Sequence, residues 1–167
     1  MIRLATLQDL PRLLDIYTTA RAFMRAHGNL KQWNGAYPDE PTLRADIALQ
    51  QLYVIEDGQT VHGCFALIDG VEPTYHAIED GDWFSSRPYG TIHRIASDGT
   101  QRGMFHECAS FASRRFDHLR VDTHADNYPM QGAVQKFGFR YQGVIHLEDG
   151  EPRMAYAWLK DNKSGDQ

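Results

Sequence analysis

Apolar residues recur along the chain with two periods. Ile2-Arg3-Leu4-Ala5 alternates residue by residue, as a short half-buried strand does. Leu10, Leu13, Leu14, Ile16, Tyr17, Ala20 and Phe23 then return at three- and four-residue intervals, which predicts a helix from about Asp9 towards Ala26. Thr6 is its candidate cap, Pro11 is tolerated in the first turn, and Gly28-Asn29 ends it. Pro41 opens a shorter helix through Leu43, Ile47 and Leu49. Strand patterns follow over 52–56 and 60–68, joined by Asp57-Gly58, a strong hairpin signal.

The second half follows the same logic. Thr91-Ile92-His93-Arg94-Ile95-Ala96 reads as a strand, Ser97-Asp98-Gly99-Thr100 as a turn, and 101–116 as a helix carrying Met104, Phe105, Cys108, Phe111 and Ala112. Residues 119–124 alternate again and predict a half-buried strand. Asp126-Asn127 caps a helix over 128–137, with Pro129 in its first turn and Gly138 at its end. Two last strands, 139–147 and 153–159, surround Glu148-Asp149-Gly150. The order is β-α-α-β-β-β-α-β-α-β-β, a single domain over 1–160 with a flexible tail at 161–167.

Two segments escape both periods. Residues 29–39 mix turn residues with Trp33 and Tyr37, aromatics that either close over the core or line a cleft. Residues 71–88 are irregular and hold Tyr75, His76, Glu79, Asp80, Asp82 and Trp83; an insertion of this length is more often functional than decorative.

A net charge of −5 and the absence of any basic block argue against a nucleic-acid-gripping protein. Cys64 and Cys108 stand alone in apolar segments and read as reduced core residues. No signal-like start and no membrane-length apolar run is visible, so the expected location is the cytoplasm, away from membranes.

The stretch from Tyr89 to Ala112 carries the most chemistry. A helix beginning near Gln101-Arg102-Gly103 leaves its first N–H groups unpaired, and these with Arg102 form a candidate phosphate site; the alternative is a plain strand-to-helix connection.

The element order together with this turn resembles the GNAT superfamily, the Gcn5-related N-acetyltransferases, over about residues 2–159. The family's cofactor motif falls on Ile95, Thr100, Gly103 and Phe105, with Thr100 at a Gln/Arg position and Phe105 at a small-residue position. Asn127 followed by Gly138-Phe139 fits a second family signature, whereas Val134 stands where many members carry the Tyr that protonates the CoA thiolate. Gln32-Trp33, Tyr37-Pro38, Ile92-His93-Arg94-Ile95 and Asp122-Thr123-His124 are similar to a group of bacterial GNAT proteins of unassigned substrate.

The resemblance implies an α/β (α+β) fold with a mixed, mostly antiparallel sheet of about seven strands, splayed between the fourth and fifth at Ile95 and Thr123, and about four helices. It implies acetyl-CoA as co-substrate, held by Ile95, Ala96, Ser97, Thr100, Gln101, Arg102, Gly103, Met104, Phe105 and Asn127, and no metal. An amine would attack the thioester, with a backbone N–H near Ile95 or Ala96 polarising the carbonyl. His93 is the first candidate base, with Glu79 and Asp82 as further candidates; Tyr89, Tyr75 and Tyr141 are replacements for the missing thiolate acid. Trp33, Tyr37, Tyr75, Trp83, Asp122 and His124 are candidate acceptor contacts. Period-two alternation sets His93 and Ile95 on one face with Arg94 on the other, and pairs Asp122 with His124. The expected activity is acetyl transfer to a small-molecule or peptide amine. The alternative is a CoA-binding module without turnover, and exposed strand edges suggest a homodimer.

Overall fold

A computed structural model describes residues 1–161; of the expected tail, 161–167, all but Asp161 lies outside the described residues. Its strands are β1 (Ile2–Leu4), β2 (Leu52–Asp57), β3 (Thr60–Asp69), β4 (Gly90–Ser97), β5 (His118–Thr123), β6 (Arg140–His146) and β7 (Pro152–Leu159). They form one sheet in the order β1-β2-β3-β4-β5-β7-β6. Only β4 and β5 run parallel. Helices α1 (Leu10–Ala26), α2 (Glu40–Ala48), α3 (Met104–Ser113) and α4 (Tyr128–Phe137) cover the two faces. The expected mixed α/β sheet architecture is therefore present.

Local chemistry sets the helix ends. Asp39 accepts the Thr42 N–H at 3.0 Å and caps α2, and Asn127 accepts the Met130 N–H at 3.2 Å and caps α4. α3 begins at Met104 and not at Gln101, because Gly103 takes a left-handed backbone, φ 75°, that interrupts the helical path.

Alternation along β3 buries both faces of the sheet. Cys64 and Ala66 join Leu13, Ile16 and Tyr17 of α1 and Leu43 of α2. Phe65 and Leu67 join Met104, Phe105, Cys108 and Phe111 of α3 and Val134 of α4. Side chains this deep contribute roughly 1.5–3 kcal/mol each on leaving water. Both cysteines are buried and unbridged, and burial pushes the Cys64 thiol up to about 12, which leaves it inert as a nucleophile.

The irregular 71–89 segment is fastened at several points. Arg120 of β5 stacks between the rings of Trp83 and Tyr89, at 3.9 and 4.0 Å from their centroids, and donates to the Ser85 carbonyl at 2.9 Å. Glu79 and Val144 exchange two backbone hydrogen bonds of 2.8 Å. Tyr75, Tyr89, Ile145 and Ala155 close a small core beneath it. No helix among the described residues is long and apolar enough to cross a membrane.

Candidate active site

β4 and β5 pair only at Gly90–Leu119 and Thr91–Arg120 and then diverge, well before the expected Ile95 and Thr123. Their facing edges beyond that point open into a cleft of about 600 Å³. Its walls come from α1, the 29–37 loop, the Glu72–Thr74 turn, β4, the first residue of α3, and the start of α4.

An extra residue in β4 shapes this cleft. Between the pairs Ala66–His93 and Cys64–Ala96 the register slips by one, and Arg94 sits at φ 50°, in the left-handed region that an L-residue adopts at a cost of about 1–3 kcal/mol. Two buried contacts hold it there. Tyr17 donates its hydroxyl to the Arg94 carbonyl at 2.6 Å, and the guanidinium makes a two-pronged pair with Asp46 of α2, both bonds 2.8 Å. The bulge corrects the expected alternation: His93 stands opposite Ala66 on the α1 side, Arg94 reaches the same side, and Ile95 packs against the α3–α4 core.

His93 lines the cleft with its Nε2 facing Glu72 Oε2 at 3.4 Å. Glu72 is itself tightly positioned. Its N–H donates to the Tyr89 hydroxyl oxygen at 2.8 Å, and its Oε1 accepts from the Thr74 hydroxyl at 3.0 Å. The hydrogen bond from His93 outweighs burial, and with the Thr74 bonds it brings the Glu72 carboxyl down to about 2. Next to this pair, Tyr75 donates to Asp122 at 2.6 Å, with its ring centroid 6.2 Å from that of His93. Burial foremost, with the Asp122 charge, raises the Tyr75 pKa and keeps the phenol protonated.

Among the expected residues, His93, Ile95, Ala96, Ser97, Met104, Asn127, Trp33, Tyr37 and Asp122 line the cleft. Thr100, Gln101, Arg102, Gly103 and Phe105 do not. Thr100 is tied by its hydroxyl to Asp98 at 2.6 Å and to His62 at 2.9 Å, while the Phe105 ring packs edge-on against Phe137 and Phe139 in the core. Phe105 can therefore face an anion only with its backbone N–H. Asp98, which burial opposes but Thr100 and His62 stabilise, falls to about 2 and is neutralised by Arg12 at 2.7 Å.

Seven further expected residues do not line the cleft. Glu79 and Asp82 are exposed and away from the cleft: Glu79 is drawn to β6 by its bridge to Val144, and Asp82 accepts from the Trp83 N–H at 2.8 Å. The carboxylate at His93 is Glu72. His124 lies just beyond the end of β5, where its Nδ1 accepts the Asp126 N–H at 3.0 Å, and it does not line the cleft. Tyr75 and Trp83 support the site from behind, Trp83 donating to the Tyr75 carbonyl at 2.8 Å. Tyr89 spends its hydroxyl on Glu72, and Tyr141 is exposed on β6.

Gln32 and Arg153 were missed as site residues. The Gln32 side-chain Oε1 accepts from the side-chain amides of Asn29 at 3.0 Å and Asn127 at 2.8 Å, clamping the 29–39 loop to the cap of α4. Val134 is fully buried in α4, among core side chains. No group of three metal-ligating side chains occurs among the described residues.

The comparison with solved structures fits this geometry. The chain is similar to a GNAT-family acetyltransferase from Streptococcus agalactiae 2603, 32% identical, covering 97% of this chain and 96% of that one with a TM-score of 0.85. A candidate acetyltransferase from Staphylococcus aureus Mu50 is 26% identical over 95% of this chain and 98% of that one, TM-score 0.70. The ribosomal-protein-S18-alanine N-acetyltransferase of Escherichia coli, 15% identical over 100% and 98%, shares the fold with a TM-score of 0.64. No protein-family model and no curated protein sequence matches the chain. The sheet, split at its one parallel pair, is matched along nearly its whole length by that first GNAT-family structure. The chain belongs to the GNAT family of acetyltransferases.

Proposed function

We propose that the protein is an acetyl-CoA-dependent N-acetyltransferase that modifies a primary amine of a small molecule or peptide by direct attack. The observation that carries this reading is one continuous cleft joining the start of α3, the unpaired edges of β4 and β5, and the His93–Glu72 pair.

The residues present fit such a co-substrate. Strand edges without partners offer backbone donors and acceptors to an extended amide-bearing arm, and the first N–H groups of α3 offer an anion site. Bound acetyl-CoA supplies an activated thioester. With its Nε2–H turned to Glu72, His93 keeps Nδ1 free to take the proton that the attacking amine sheds, and the ionised carboxylate stabilises the imidazolium. We assign polarisation of the carbonyl to the N–H of Ile95 or Ala96, which line the cleft on the lip that β5 leaves unpaired. Asp122, fixed by Tyr75, attracts the incoming ammonium.

Calorimetric titration with acetyl-CoA and then CoA, followed by thiol-release assays over amines, tests the reading. His93→Ala is expected to lower kcat by about 10²–10⁴-fold with acetyl-CoA affinity retained. Absence of binding at millimolar acetyl-CoA would overturn the proposal, and a variant as active as the parent at every pH would remove His93 as the base.

A further inference from the structure

The cleft contains a charge that acetyl transfer does not use. Arg153 of β7 is 4% exposed and lines the cleft, yet among the described residues its hydrogen bonds go only to main-chain carbonyls: Nη1 to Pro152 at 2.8 Å and Nη2 to Gln32 at 3.3 Å. A guanidinium has more donors than those two bonds employ. The other arginines near the site are accounted for. Arg94 is paired with Asp46, Arg12 with Asp98, and Arg120 lies between two aromatic rings. Burial lowers the Arg153 pKa, and Asp122, Glu151 and Asp149 counter it from beyond ion-pair distance.

The sheet register fixes where this cation stands. Asp122 pairs across β5–β7 with Ala155, and Arg153, two residues earlier on β7, points to the same face. Diagonal neighbours of this kind lie about 7 Å apart. Asp122 gives its Oδ2 to Tyr75, and the Arg153 guanidinium bonds to the Pro152 and Gln32 main-chain carbonyls instead of to it. One face therefore presents an anionic corner, Glu72 and Asp122 beside His93, and next to it a buried cationic corner.

We propose that the acceptor is a small zwitterion, an amino acid whose amine enters the Glu72–His93–Asp122 corner and whose carboxylate pairs with Arg153. This rests on the acetyl-transfer reading and narrows it from amines at large. A guanidinium fork matches a carboxylate with two parallel bonds, and the fit also discriminates: a neutral analogue leaves the buried cation unpaired. The carbonyl of Gln32 holds the guanidinium towards the cleft, and Trp33 beside it supplies an apolar wall for the acceptor's carbon skeleton.

The test is thiol release by the full chain at saturating acetyl-CoA, using matched acceptors: free α- and ω-amino acids against the corresponding carboxamides. At a pH where both amines are equally protonated, kcat/KM for an accepted acid is expected to exceed that of its amide about 10- to 100-fold, mainly through KM. In Arg153→Gln this ratio should fall towards one, and in Arg153→Lys it should be partly kept. Calorimetric acetyl-CoA affinity reports whether each variant is folded, and the acid–amide ratio of the unaltered protein decides the question even if neither is. Transfer that ignores the carboxylate in the unaltered protein overturns this inference while acetyl transfer stands. A ratio that survives in folded Arg153→Gln overturns the assignment to Arg153. Transfer to no amine at all overturns both readings.

Discussion

Removing Asp46 is the sharpest probe of how the bulge is held. Asp46 is 3% exposed and receives both prongs of Arg94, whose backbone is the left-handed residue of β4. Asp46→Ala leaves a buried guanidinium without its counter-ion, which costs about 3–5 kcal/mol in a fully desolvated pair. The lower end applies here, because Arg94 keeps the Tyr37 hydroxyl at 3.4 Å and its side chain is 14% exposed. For a domain of this size, about 3 kcal/mol corresponds to a fall in Tm of roughly 6–12 °C, readable by circular dichroism. The second arm is Asp46→Ala with Arg94→Gly, glycine being free to adopt the left-handed backbone. If the loss comes from an unpaired cation, the double variant is more stable than Asp46→Ala alone by about 1–2 kcal/mol. A Tm drop below about 2 °C for Asp46→Ala, or losses that simply add in the double variant, would refute the argument.

Two other outcomes follow from the same geometry. The Glu72 carboxyl is held below its ordinary value, so its contribution to stability is complete above the unfolded pKa of about 4.3 and is lost as pH falls towards 2. In urea denaturation at pH 5 and pH 3, Glu72→Gln should flatten that loss by up to about 1 kcal/mol after solvent screening, and kcat should drop about 10- to 100-fold at neutral pH; an unchanged acid branch would contradict the pairing. Gly143 has φ 148°, and a Cβ there would collide with the Glu79 carbonyl and the Ile78 side chain. Gly143→Ala should cost about 2–4 kcal/mol and raise hydrogen exchange at the Glu79 and Val144 amides. Native protection at those amides would count against it.

Much of the fold was readable because its signals are local. Apolar period, proline in first turns, and Asp39, Asn127 and Gly138 at helix ends each act within a few residues. The bulge was not readable in this way. Ile92-His93-Arg94-Ile95 carries no glycine to mark a bulge, and what bends it is a carboxylate on α2 and a phenol on α1, neither adjacent in sequence. Glu72 was hidden for a similar reason: it lies outside any periodic element and gains its place from Tyr89 and His93. Arg153 could be put on a face by alternation, but its lack of a carboxylate partner among the described residues is a tertiary fact.

The fastening of residues 71–89 bears on how such a protein can change over generations. Tyr75, Trp83 and Tyr89 are the aromatic pins, while Val71 before them and His76 and Asp82 between them face solvent. Mutations can accumulate at those outward positions without loosening the pins or disturbing the sheet. The segment thus joins two kinds of position, an inner set that carries Glu72 to His93 and an outer set open to rewriting, and a lineage could acquire new molecular clients by altering the second alone.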